Sequence, residues 1–265
     1  MPGQLPSAPA GFGPVLKRWR ARRRVSQLDL ALEAGVSARH LAFLETGRAR
    51  PSREMVVTLG AALEVPLRER NELLLAAGFA PVYPEHPLSA ERLAPIRLAC
   101  ETLLRRHEPY PAIQFDRHWN LLAANAAARR MFGLPDGDAP VNIVRLLAGH
   151  PAIDDLVQNW PDVAHDMLAR LRLEAANAGP DPELGALIAL LAAAAPPYNA
   201  KGTAVPRANP FVVVHLQTPL GAIKMFSTIA EFGTVEDITV RDLRVELFFP
   251  SDAVSAAVLE ALAKG

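Results

Sequence analysis

Residues 37–55 read SARHLAFLETGRARPSREM, and their order decides how the first third of the chain folds. Ser37 stands at a helix N-cap position, where its hydroxyl can accept from an amide of the first turn. Residues 38–45 then carry Leu41 and Leu44 three apart, an inward-facing pair joined by Val36 from the preceding turn. That spacing turns Arg39, His40 and Phe43 outward. Gly47 stops the helix, Arg48 and Arg50 make the exit basic, and Ser52 after Pro51 caps the next helix. Immediately upstream, Ser26-Gln27 opens a helix that closes at Gly35. Two short helices joined by a glycine turn, the second basic on its outer side, present one helix to a DNA major groove.

Reading outward, helical segments are expected over 12–24, 27–34, 38–45, 53–63 and 67–77, the last stopped by Gly78. Ala80-Pro-Val-Tyr-Pro-Glu-His-Pro87 carries three prolines in eight residues and reads as a stiff connector. Beyond it, 89–107 is helical with a break or restart at Pro95, and 112–123 is extended. Helices are expected next over 125–132, 143–147, 163–177 and 182–195, then a loop over 196–210. Strands are expected at 211–218, 222–232 and 240–249, the first two joined by Pro219-Leu-Gly221, and Ser251 is expected to cap a final helix to 263. The expected organisation is an all-α five-helix domain over 1–80, a linker and connecting helix over 81–108, and an α+β domain over 109–265.

Composition narrows the function classes. A chain of 265 residues, half of them apolar and a fifth charged, suits two globular domains. No apolar run approaches the length of a bilayer span and the N-terminus lacks a signal-peptide pattern, so no membrane partner is expected and the expected location is cytoplasmic. Cys100 is the single cysteine, which excludes an intrachain disulfide and a cysteine-built zinc site. The net charge of zero hides an asymmetry: residues 1–80 hold 12 Lys and Arg against 7 Asp and Glu, and the remainder holds 16 against 21. The basic end is suited to an anionic partner.

Within that basic end each candidate residue has a chemical role. Arg39 is suited to guanine, His40 to a base edge or phosphate, and Phe43 to a thymine methyl, with Ser37 at the helix end nearest the DNA. Gln27 opens the preceding helix, where amide and side chain can grip a backbone phosphate. Arg48 and Arg50 add attraction to phosphates without sequence choice. Arg22, Arg23 and Arg24 read as a solvated helix end.

The strings Ser26-Gln-Leu-Asp-Leu-Ala31, Gly35-Val-Ser37, Leu44-Glu-Thr-Gly47 and Pro51-Ser52 resemble the helix-turn-helix of phage-repressor-like (XRE) regulators. The resemblance implies that Arg20 of the first helix pairs with Glu45. Val65-Pro-Leu-Arg-Glu-Arg-Asn71 and Ala76-Ala-Gly-Phe-Ala-Pro-Val-Tyr83 resemble the MmyB-like branch, whose members add a PAS-like ligand-binding domain. Glu108-Pro-Tyr-Pro-Ala112, Asp116-Arg-His-Trp-Asn120, Asn159-Trp160, Phe226-Ser-Thr228 and Phe248-Phe-Pro250 extend that resemblance through the second domain.

The resemblance implies a transcription regulator that binds double-stranded operator DNA as a homodimer, over half-sites about 34 Å apart. Its second domain would sense a small, apolar or fatty-acid-like ligand. The alternative is a second domain that serves only dimerisation or protein docking. Trp119, Phe132, Trp160, Met167 and Phe226 are the bulky groups expected to line the site, with Arg117, Asn159 and Arg170 holding a carboxylate head group. Met225 and Phe226 are strand neighbours, so only one of them can face it.

Catalysis finds little support. The seven histidines show no paired metal spacing, no Gly-rich phosphate loop occurs, and no cofactor or metal is expected. Asp154-Asp155 reads as a helix cap, Ser227-Thr228 has no recognisable base nearby in sequence, and Cys100 sits among apolar residues as a packing thiol.

Overall fold

Serine hydroxyls start three of the five N-terminal helices. Ser26, Ser37 and Ser52 accept from the amides of Asp29, His40 and Met55 at 3.1, 3.1 and 3.2 Å. The computed structural model describes residues 11–135, 140–196, 212–233 and 235–264. Its first five helices are α1 Phe12–Arg23, α2 Gln27–Glu33, α3 Ala38–Glu45, α4 Arg53–Ala62 and α5 Leu67–Ala76. Leu16, Leu30, Leu41, Leu44, Leu59, Leu63, Leu73 and Leu74 close their common core. Each is worth roughly 2 kcal/mol of burial. Arg23 is not a solvated helix end: its guanidinium donates to the Leu63 and Glu64 carbonyls at 3.0 and 2.8 Å, satisfying acceptors left open at the end of α4.

The chain divides into two units, and the division differs from the one expected. The described residues 11–85 belong to the first, together with Asn177–Gly179 and Glu236–Ile238. Part of the proline-rich connector is therefore anchored to the helical unit. Asn71 Oδ1 accepts from the amides of Val82 and Tyr83, and its Nδ2 donates to the Tyr83 carbonyl. The expected connecting helix is likewise not a spacer. After a 3-10 turn at Glu91–Leu93, α6 Ala94–Arg106 begins with Pro95 in its first turn and packs Cys100 and Leu104 against Ala112, Leu243 and Val245 of the second unit.

The second unit is built on a five-stranded antiparallel sheet in the order β2-β1-β5-β4-β3. Its strands are β1 Ala112–Phe115, β2 Leu121–Ala124, β3 Val214–Thr218, β4 Gly221–Glu231 and β5 Arg244–Pro250. Between β2 and β3 lie α7 Ala126–Phe132, α8 Ile143–Ala148, α9 Ile153–Leu156, α10 Trp160–Asn177 and α11 Pro182–Ala194; α12 Ile238–Asp242 precedes β5 and α13 Ala253–Lys264 comes after it. This is an α+β, PAS-like domain. The sheet face carrying Ile113, Phe115, Met225 and Phe248 meets α7, α8, α10, α11 and α13 in the larger core, and the opposite face meets α6.

Three local expectations are corrected. The strand expected from 240 begins at Arg244, because 238–242 closes into α12. Asp252, not Ser251, caps α13, accepting from the Ser255 amide at 2.7 Å, while the Ser251 hydroxyl donates to the Lys224 carbonyl. Asp154 and Asp155 lie inside the first turn of α9 and do not cap it. Most of the loop expected at 196–210, and Phe211, lie outside the described residues.

Candidate DNA-reading face and ligand-domain core

The outer side of α3 begins with Ser37, whose Oγ is occupied by the His40 amide as the helix cap. Arg39 is exposed, and its guanidinium carbon lies 5.4 Å over the Phe43 ring. Such a cation–π contact aligns the side chain and is worth about 0.5–1 kcal/mol at an exposed site. Phe43 and His40 are half-buried, so the ring forms a floor under Arg39 where a fully exposed aromatic was expected. Gly47, at φ 73°, turns the chain so that the amides of Arg48 and Ala49 both reach the Phe43 carbonyl, at 2.9 and 3.2 Å. An L side chain is strained in that left-handed conformation. Arg48 and Arg50 are exposed, and among the described residues Arg39, Arg48 and Arg50 have no carboxylate partner.

Glu45 holds this face in place. Its side chain is 2 % exposed and accepts from Arg20 Nε at 2.6 Å and Arg20 Nη2 at 3.0 Å, the pair implied by the resemblance. It also accepts from Gln27 Nε2 at 2.7 Å. Burial pushes the Glu45 carboxyl up, but the hydrogen bonds from Arg20 and Gln27 and the charges of Arg20 and Lys17 outweigh it and hold the group below the usual carboxylate value. One carboxylate on α3 thus ties α1 and α2 to it. Gln27, expected to grip a phosphate, has one amide hydrogen committed to Glu45; that contact fixes the orientation of the amide.

In the second unit the expected ligand residues separate. Trp119, Trp160 and Met167 are buried in the larger core, with Phe132 packed against it and edge-on to Phe248 at 5.4 Å. Phe226 does not join them: it stacks on Phe249 at 5.6 Å on the face away from that core, as strand alternation from Met225 requires. Arg117 is paired with Asp181, which also accepts from His118 Nε2 at 2.8 Å. Asn159 bridges backbone, donating to the Val213 carbonyl at 2.7 Å and accepting from the His215 amide at 2.8 Å. Neither Arg117 nor Asn159 is placed as a free head-group holder.

Asp181 caps α11 as well, through the Leu184 amide at 3.0 Å. Burial raises its carboxyl, but the Leu184 amide, His118 and Arg117 together bring it well below the usual carboxylate range. A depressed folded pKa contributes stability above the unfolded value of about 3.9 and loses it as pH falls toward the folded one. Asp181→Asn can still cap the helix, so the stability gap between wild type and variant should be widest above about pH 4 and shrink as the solution is acidified. Urea titrations across that range check it; a gap that is flat with pH would refute the assignment.

Sequence reasoning missed a polar group on the inner face of the sheet. Glu246 of β5 is buried, accepts from Ser227 Oγ on β4, and lies 3.7 Å from Arg170 Nη1 of α10. Arg170 Nε also contacts Asp166 at 3.2 Å, one turn away. Beside them, Arg244 Nε lies 3.2 Å from Glu231 and 3.7 Å from Glu174, and Glu174 accepts from the Trp119 indole N–H at 3.3 Å. Burial raises the carboxyls of both Glu246 and Glu174 above the usual value. Trp119 is presented to this group with φ at 64°, held by Asp116, whose Oδ1 accepts from the His118 and Asn120 amides. That conformation costs on the order of 1–3 kcal/mol in a non-glycine residue. The signal available in sequence was the i, i+4, i+8 spacing of Asp166, Arg170 and Glu174, which sets all three on one side of α10.

Among the described residues no helix is long and apolar enough to cross a membrane, and no group of three or more metal-ligating side chains occurs. Residues 96–262 match the model of the MmyB-like transcription regulator ligand binding domain, and residues 16–70 match that of a helix-turn-helix family. Both are domains of regulators and not of enzymes. No curated protein matches the chain. Among solved structures, that of an RNA-binding light-oxygen-voltage receptor aligns over 94% of this chain at 13% identity with a TM-score of 0.26. This chain spans 61% of the length of that protein, and a likeness at that level carries no argument.

Proposed function

The chain belongs to the MmyB-like transcription regulators, and from that premise we propose that it is a sequence-specific, one-component regulator that reads operator DNA as a homodimer. Ligand bound to its C-terminal domain shifts its affinity for that DNA. A DNA-binding regulator with a ligand-binding domain is what the two matched families establish; sequence specificity, the dimer, a cytoplasmic location and the kind of ligand are our reading. The observation that supports it best is the set of exposed Arg39, Arg48 and Arg50, without a carboxylate partner among the described residues, around a helix that Glu45 fixes from inside. Arg39 reads a base with Phe43 beneath it, His40 and Ser37 flank the base-reading end, and Gln27, Arg48 and Arg50 meet phosphates.

Arg39→Ala should cost about 2 kcal/mol of operator affinity and relax the preference at one base pair, whereas Arg48→Ala should weaken binding evenly across sequences and flatten its salt dependence. Binding-site selection followed by titration at several salt concentrations separates the two behaviours. Unchanged sequence preference in Arg39→Ala would remove that residue from the reading face. The ligand is a small, largely apolar molecule, with a fatty acid as the first case to test, seated against Trp119, Phe132, Trp160 and Met167. A ligand acts as effector only through a difference in its affinity for two arrangements of the protein. The test is therefore whether the identified ligand changes operator affinity.

A further inference from the structure

Trp160 opens α10 inside the larger core of the second unit, where it is 1 % exposed. Its indole N–H has no acceptor among the described residues. A buried donor left unmatched carries the full cost of losing water, and an acceptor that arrives with a ligand recovers it. The other polar groups expected to hold a ligand are engaged. Trp119 donates its indole N–H to Glu174 at 3.3 Å, and Arg117 is paired with Asp181. Asn159 spends its amide on the Val213 carbonyl and the His215 amide. Arg170 lies 3.2 Å from Asp166 and 3.7 Å from Glu246.

The backbone that carries the Trp160 ring is laced to the edge strand β3. Val157 bridges Leu216, and the Gln158 amide donates to the His215 carbonyl at 2.9 Å. The two Asn159 contacts join the same strand, and the Trp160 amide closes onto the Val157 carbonyl at 2.9 Å. A ring held by that backbone and packed within a core keeps its N–H in one direction. Such a donor is organised before the ligand arrives, so meeting an acceptor requires little reordering. An indole N–H donates and does not accept, and it carries no charge. It therefore distinguishes a ligand oxygen from a purely donating head, and it does not require that oxygen to be ionised.

We propose, resting on the sensor reading, that Trp160 Nε1 donates to a carbonyl-type oxygen of the ligand. The ligand is then an apolar chain bearing a carbonyl group, as a fatty acid or its ester does. An alkylammonium, whose polar end only donates, leaves Trp160 unmatched and binds weakly.

Octanoate, methyl octanoate and octylammonium, each titrated calorimetrically into the full-length protein at pH 7, test the proposal. Either carbonyl probe should bind about tenfold more tightly than octylammonium, and whichever of the two leads identifies the acid or the ester as the source of the oxygen. Replacing Trp160 with benzothienylalanine, which keeps the ring shape and puts sulfur in place of the N–H, should weaken the carbonyl probes about tenfold and leave octylammonium unchanged. Heteronuclear NMR of the wild-type protein gives a readout that needs no altered side chain to bind ligand. The Trp160 indole resonance, assigned by its absence from Trp160→Phe, should move downfield with the tighter carbonyl probe, while that of Trp19 in the helical unit stays in place. A carbonyl probe that binds without moving the Trp160 resonance, equal affinity in the benzothienylalanine protein, or octylammonium binding most tightly overturns the proposal and leaves the sensor reading standing. Binding by none of the three probes overturns the sensor reading for this ligand class, and the Trp160 assignment with it.

Discussion

Glu45→Ala should lower the stability of the helical unit by about 3–5 kcal/mol, the range observed when one partner of a buried charge pair is removed. The side chain is 2 % exposed and receives three hydrogen bonds, two from Arg20 and one from Gln27. Its loss leaves a part-buried guanidinium with the Val25 carbonyl at 3.0 Å as its hydrogen-bond partner among the described residues, and frees Gln27 at the start of α2. Hydrogen exchange over residues 12–76 of the full chain should show protection lost across α1, α2 and α3 together. DNA affinity should fall with it, although the Glu45 side chain is buried against α1 and α2. The effect has a pH signature: the Glu45 carboxyl is held below its usual value, so its contribution is present above about pH 4 and fades as pH falls toward the folded pKa. Full protection in Glu45→Ala would mean that the carboxylate does not join the three helices.

Gly13→Ala should destabilise the same unit by about 3 kcal/mol, at the upper end of the cost of overpacking a core. A Cβ at this position would lie 2.5 Å from the Glu45 carbonyl oxygen and 2.6 Å from that of Leu44. Both obstacles are backbone, so no side-chain rotation relieves them and α1 must move away from α3. Alanine's advantage over glycine in a helix, about 1 kcal/mol, is too small to compensate. The contrast is Gly185 in α11, where a Cβ meets nothing within 4 Å and alanine should be tolerated. Chemical denaturation of the two variants separates a packing role from a propensity effect; equal stabilities would contradict the close approach of α1 and α3.

The reach of sequence reasoning can be traced through individual residues. Ser26, Ser37 and Ser52 were legible as caps because an N-cap is a contact between residues three apart. The strands around Met225 and Phe248 were legible because alternation is a period of two. Phe226 was misplaced, although the same alternation that puts Met225 in the larger core turns it to the other face. Arg117 and Asn159 looked available because their partners, Asp181 and the backbone at Val213 and His215, lie more than fifty positions away. Glu246 escaped notice for the same reason, since a strand sequence does not say which helix crosses it.

By itself the sequence determined the five N-terminal helices, the outward placement of Arg39 on α3 and the α+β character of the second unit, because capping, periodicity and charge act over a few residues. Only the tertiary structure decided that Glu45 serves α1 and α2 at once, that α6 belongs to the sheet and not to a linker, and that Glu246 on the inner face of that sheet meets Ser227 and Arg170. Those are pairings between residues distant in sequence. Their energies depend on burial and on distances of a few ångströms, which chain order alone does not encode.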